Sequence, residues 1–68
     1  MTILREFRLE RAMTQAELAE KAGLRVTTIS RLENGEHPAR VTTVRKLATA
    51  LGVEPSALRS LMAKGGDR

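Results

Sequence analysis

Sixty-eight residues make one domain at most, near the size at which a single core only just outweighs chain entropy. Hydrophobic content is 41%, carried by Leu, Ile, Val and Ala with Phe7 the sole aromatic, which suits packed helices and excludes a β-sandwich. Without cysteine there is no disulfide framework or thiolate zinc site, and a net charge of +4 with a pI of about 10.7 favours a polyanionic partner.

Five helices are predicted, with no strand pattern, internal repeat or low-complexity tract. The first runs from about Thr2 to Arg11, with Leu4 and Phe7 inward and Arg8 one turn from Leu4. Its charges begin at Arg5, so MTILREFRLER is not a signal peptide. No segment is long enough to span a bilayer, and a cytoplasmic, nucleoid-associated setting is expected. The second helix has the best-marked start. Thr14 is its cap and Glu17 can reach back to the cap's amide, a capping box, while Met13 and Leu18 are spaced as a hydrophobic staple. Leu18, Ala19 and Ala22 face the core until Gly23 ends the helix in a left-handed conformation.

The third helix is predicted from about Val26 to Asn34, stopping at Gly35. The loop EHPAR leads to a fourth, about Val41 to Leu51, where Val41, Val44, Leu47, Ala48 and Leu51 share one face before Gly52. Pro55 opens a short fifth helix containing Ala57, Leu58, Leu61 and Met62. A domain over 1–64 is expected, with the tail at 65–68 disordered and KGGDR frayed. Met1 and the polar finish at Arg68 lead to the expectation of a complete small protein.

The stretch Thr14 to Gly35, TQAELAEKAGLRVTTISRLENG, is the most informative: two short helices joined by a tight turn. On a helical wheel, Ile29, Leu32 and Glu33 of the third helix share one side. Thr27, Arg31 and Asn34 occupy the other, with Ser30 at the flank. The outer face therefore offers hydroxyls, an amide and a guanidinium, which suit base edges and phosphates. Val26, at the leading end, either meets a thymine methyl or plugs the core. Charge is concentrated here too. Residues 1–24 are net zero, whereas residues 25–46 carry Arg25, Arg31, Arg40, Arg45 and Lys46 against Glu33 and Glu36, a net +3. Glu33 on the inward side needs a partner, and Arg8 is the best placed; the alternative is that both are solvated.

These segments, MTQAELAEKAGL, TTISRLENG and VRKLATALGV, resemble the helix-turn-helix family of phage repressors, Cro proteins and bacterial XRE-type regulators over roughly Leu4 to Met62. The resemblance implies an all-α, compact five-helix, lambda-repressor-like DNA-binding domain. It implies base contacts from Val26, Thr27 and Arg31, a phosphate contact from Gln15 that also supports a base contact, and backbone contacts from Thr14, Asn34 and the loop from His37 to Arg40. Ser30 joins the base-contacting set from the helical wheel, and Arg25 joins the backbone set as a cation at the helix start. It further implies a structural salt bridge between Arg8 and Glu33. Arg45 and Lys46 are added to the backbone set on charge alone. Two positions depart from the family pattern. Arg25 stands where a serine or threonine cap is usual, so it either reaches phosphate or the helix begins later with Thr27 as cap. Glu36 stands where lysine is common, and it would repel a phosphate.

The implied function is sequence-specific binding of double-stranded DNA by a transcriptional regulator, most simply a repressor, with the third helix in the major groove. The alternative is an antitoxin that neutralises a partner toxin and represses its own operon. Members of the family bind two-fold symmetric operators as homodimers. Leu58, Leu61 and Met62 of the fifth helix are candidates for that interface, unless all three close the base of the bundle. An enzyme is not expected. His37, the single histidine, lies in a loop with no Cys or Asp beside it, Ser56 and Ser60 have no base at a recognisable spacing, and the glycines are spaced as helix stops. No catalytic residue, metal site or cofactor is expected.

Overall fold

The capping box spelled by Thr14 and Glu17 forms. The Thr14 hydroxyl oxygen accepts from the Glu17 amide at 3.0 Å, and the Glu17 carboxylate accepts from the Thr14 amide at 2.8 Å. The computed structural model describes residues 3–36 and 38–63. Thr2, His37 and the expected tail at 65–68 lie outside them. The helices are α1 (Ile3–Glu10), α2 (Gln15–Ala22), α3 (Val26–Glu33), α4 (Val41–Leu51), a 3-10 helix (Pro55–Leu58) and α5 (Ser60–Ala63). Among the described residues there is no strand, so the fold is all-α, a helix-turn-helix domain.

Helix ends follow local chemistry. Gly23 and Gly52 sit at φ of 70° and 72°, and the residue after each donates back to a carbonyl five positions earlier, Leu24 to Ala19 and Val53 to Ala48. A Cβ at either glycine would meet nothing within 4 Å. Glycine is therefore required there by the dihedral rather than by space.

One core gathers every helix. Leu4 of α1, Leu18 of α2, Ile29 of α3, Leu47 of α4 and Leu58 of the 3-10 helix are its largest fully buried side chains. The radius of gyration is 10.6 Å, close to the roughly 11 Å expected at this length. The expected fifth helix is divided. Ala57, Arg59 and Met62 each donate to a carbonyl three positions back, the tighter 3-10 winding that short segments adopt. Val41, expected on the core face of α4, is instead 53% exposed, because in the first turn it borders a surface groove with Pro55 and Met62. The loop before α4 is tied to the last helix, since the buried Ala39 donates its amide to the Leu61 carbonyl at 3.0 Å. No helix among the described residues is long and apolar enough to cross a membrane.

Candidate nucleic-acid interface

α3 is docked by its apolar stripe. Ile29, Leu32 and Glu33 are buried, Thr28 and Ser30 are half-buried, and Thr27, Arg31 and Asn34 are exposed. The sequence-derived wheel and the observed burial agree residue by residue. Val26 stands 45% exposed at the leading end, which decides against its plugging the core. The helix begins at Val26 with Arg25 as N-cap, not at Thr27, and no side chain caps it. The first-turn amides of α3 and their partial positive charge therefore face outward without a side-chain acceptor.

Arg8 and Glu33 hold α3 to α1. Both are buried at 8% exposure. Arg8 Nε donates to Glu33 Oε2 at 2.6 Å and Nη2 to Oε1 at 3.0 Å, a bidentate pair. The third guanidinium nitrogen, Nη1, donates to the Met13 carbonyl at 2.7 Å, so one side chain binds α1, the turn before α2, and α3. Burial pushes the Glu33 carboxyl up. The hydrogen bonds from Arg8 and Gln15, with the Arg8 and Arg5 charges, outweigh it and hold the carboxyl below its ordinary value. The bond to Glu33 raises Arg8 despite its burial.

The remaining sequence-derived site residues divide. Gln15 was expected to face DNA, yet its Nε2 donates to Glu33 Oε1 at 3.0 Å, so half of its amide belongs to the buried pair. Thr14 is exposed, with its amide and hydroxyl oxygen already used in the capping box, which leaves the hydroxyl proton for a partner. Arg40 lines a surface depression with Thr28 and Leu32 of α3, Pro38, Ala39 and Thr43, and so lies beside α3. Arg45 and Lys46 line a different depression with Lys21, Ala22 and Thr49. The structure therefore groups them with the C-terminal end of α2, the far end of that helix from Thr14 and Gln15.

The interface assigned to Leu58, Leu61 and Met62 needs correction. Leu58 is fully buried and Leu61 is 8% exposed, because both pack into the one core. Only Met62 of the three keeps open surface. It lines a largely apolar groove with Val41, Val44, Pro55, Ser56, Arg45 and Arg59. Helical spacing marks a face as apolar without saying whether the chain itself covers it.

The helix-turn-helix family profile matches residues 4–58. An uncharacterized HTH-type transcriptional regulator of Methanothermobacter thermautotrophicus is 42% identical over 53 residues, 78% of this chain and 77% of the relative. Another from Archaeoglobus fulgidus is 45% identical over 47 residues, 69% of this chain and 67% of the relative. A protein of Mycobacterium tuberculosis named as a candidate antitoxin, HigA2, is 42% identical over 52 residues, 75% of this chain, which spans 52% of that relative's length. No solved structure matches the chain significantly.

Proposed function

The chain belongs to the helix-turn-helix family of XRE-like transcriptional regulators, and from that premise we propose that it is a sequence-specific repressor whose α3 enters the major groove of double-stranded DNA. The observation that supports this reading is the outer face of α3, where Thr27, Arg31 and Asn34 project behind a stripe docked by Ile29, Leu32 and Glu33. Val26 leads the helix and meets a thymine methyl, Thr27, Ser30 and Arg31 address base edges, and Arg25, Asn34 and Thr14 address phosphates. Arg40 adds a phosphate contact beside α3, while Arg45 and Lys46 contribute through the field rather than by contact. The chain works as a binding module in the cytoplasm, on the nucleoid, and turns over no substrate.

One such domain spans few base pairs, so two copies on a two-fold site supply the affinity that one lacks. With Leu58 and Leu61 committed to the core, the reading moves the homodimer contact to the groove of Val41, Pro55 and Met62. Selection of bound sequences from random duplex DNA tests function and assembly together. Enriched half-sites about 10–10.5 base pairs apart support both, and no enrichment defeats the DNA reading.

The antitoxin reading is favoured by one specific observation, the likeness to HigA2. A toxin gene adjacent to this one, whose growth arrest this chain relieves on co-expression, would establish it.

A further inference from the structure

We propose that Glu33 is a positioning residue that fixes which way round the Gln15 amide lies, and so makes Gln15 a reader of adenine. The inference rests on the DNA-binding reading above. An ionised carboxylate only accepts hydrogen bonds, so the Glu33 Oε1 at 3.0 Å dictates that Gln15 turns its Nε2, not its carbonyl, inward. Arg8 prevents the carboxylate from turning away, because it holds both Glu33 oxygens at 2.6 and 3.0 Å.

Among the described residues, Gln15 Oε1 has no hydrogen-bond partner. Every buried side-chain polar atom among the described residues has a partner, so this oxygen reaches solvent. Gln15 therefore presents outward an acceptor and the second N–H of the same amide. In the major groove adenine sets its N6–H donor beside its N7 acceptor, and a side-chain amide in this sense is the bidentate complement. A phosphate has only acceptors, so it would take the N–H and leave Oε1 unpaired, whereas adenine engages both. The geometry thus favours a base over the phosphate contact that a freely rotating glutamine would take. Arg8, itself buried at 8% exposure, bears on the choice of base through two hydrogen bonds.

The experiment begins with the duplex that selection enriches. Binding of the full chain is measured to that duplex, to its single-base variants, and to duplexes in which each adenine in turn is replaced by purine, which lacks the 6-amino group. The expected result is one adenine whose replacement weakens binding on the order of tenfold. Gln15→Met is indifferent to that replacement. Glu33→Gln, which frees the amide to turn, relaxes the same position and has no further effect on it in the Gln15→Met background. A merely structural Glu33 would weaken all duplexes alike, and that result overturns the proposal while leaving the DNA reading standing. A base profile unchanged by Gln15→Met also overturns it. Enrichment of no duplex removes the premise and the proposal together.

Loss of the ion pair threatens the folding of Glu33→Gln, so a second measurement uses the unmodified protein without DNA. The two Nε2 protons of Gln15 should give distinct resonances by NMR, one of them slowed in exchange by the bond to Glu33. Two protons exchanging like those of a solvated glutamine would overturn the proposal.

Discussion

Arg11 donates its Nε to the carbonyl of Leu51 at 2.7 Å, joining the end of α1 to the end of α4 across forty positions of sequence. The same guanidinium donates to the Phe7 carbonyl at 3.0 Å and lies 5.3 Å from the centre of the Phe7 ring. Leu51 lies in the last turn of α4, whose carbonyls have no partner further along the helix. Arg11 supplies one from another element.

The residue after Arg11 carries the cost of this arrangement. Ala12 has φ of 53°, the one positive value at a non-glycine among the described residues. A left-handed alanine costs about 1–2 kcal/mol, and glycine's extra chain entropy returns about 0.5–1 of that. Ala12→Gly should therefore stabilise the fold by about 0.5–1 kcal/mol, read as a higher urea midpoint with unchanged slope. Ala12→Val should lower the midpoint.

Breaking the buried pair should be severe. Arg8→Ala leaves the Glu33 carboxylate buried without its cation and should cost about 3–5 kcal/mol, comparable to the whole stability of a domain this small. Replacing both residues by methionine should recover most of that loss, which equilibrium unfolding can establish. The sign of the pH dependence follows from Glu33. Its carboxyl is held below the ordinary value in the fold, so its contribution is complete above the usual glutamate range, about pH 4.3. It drains as pH falls through the lower folded value. Acid unfolding should be less steep in a folded Glu33→Gln than in the parent chain, and parallel acid limbs would contradict this.

Arg31→Ala should cost about 1–3 kcal/mol on the preferred duplex and relax preference at one base pair. Fluorescence anisotropy against single-base variants measures both. Equal weakening on every sequence would make Arg31 a phosphate contact.

Arg40 and Lys46 should behave differently in salt. Arg40→Ala should lower the slope of log affinity against log salt by about 0.9, because Arg40 flanks α3. Lys46→Ala, beside Lys21 and Thr49, should leave the slope nearly unchanged. Equal effects would put the α2–α4 depression on the DNA path.

Val41→Glu with Met62→Glu should abolish the dimer on DNA while leaving helicity intact, as sedimentation and circular dichroism would report. Leu61→Glu should unfold the chain instead, since its side chain lies in the core. A dimer that survives the first pair of changes rules the groove out.

Local chemistry made most of this fold legible. The capping box at Thr14, the glycine stops and the apolar spacing of α4 each depend on neighbours within a turn or two, and α4 has the bounds its pattern implied. The Arg8–Glu33 pair was legible because a carboxylate on an apolar stripe demands a cation. What escaped is nonlocal or compensatory. The Arg11–Leu51 bond and the turn of Gln15 toward Glu33 depend on where helices meet. The left-handed Ala12 has no glycine to announce it. Helical spacing marks Leu58 and Leu61 as apolar, but only the packing of the last two helices on the core decides that the chain itself covers them.

The amide of Ala39 bonded to the carbonyl of Leu61 couples the loop before α4 to the last helix. Arg40, the next residue, belongs to the stretch beside α3, and Met62, the residue after Leu61, belongs to the groove that Val41 also lines. Whatever grips Met62 restricts the strand of chain that carries Arg40, and part of the entropy of ordering that strand on DNA is then already spent. By reciprocity, DNA that immobilises Arg40 strengthens the grip at Met62 by the same factor. Occupancy of the groove would thereby be felt beside α3 without any change of fold.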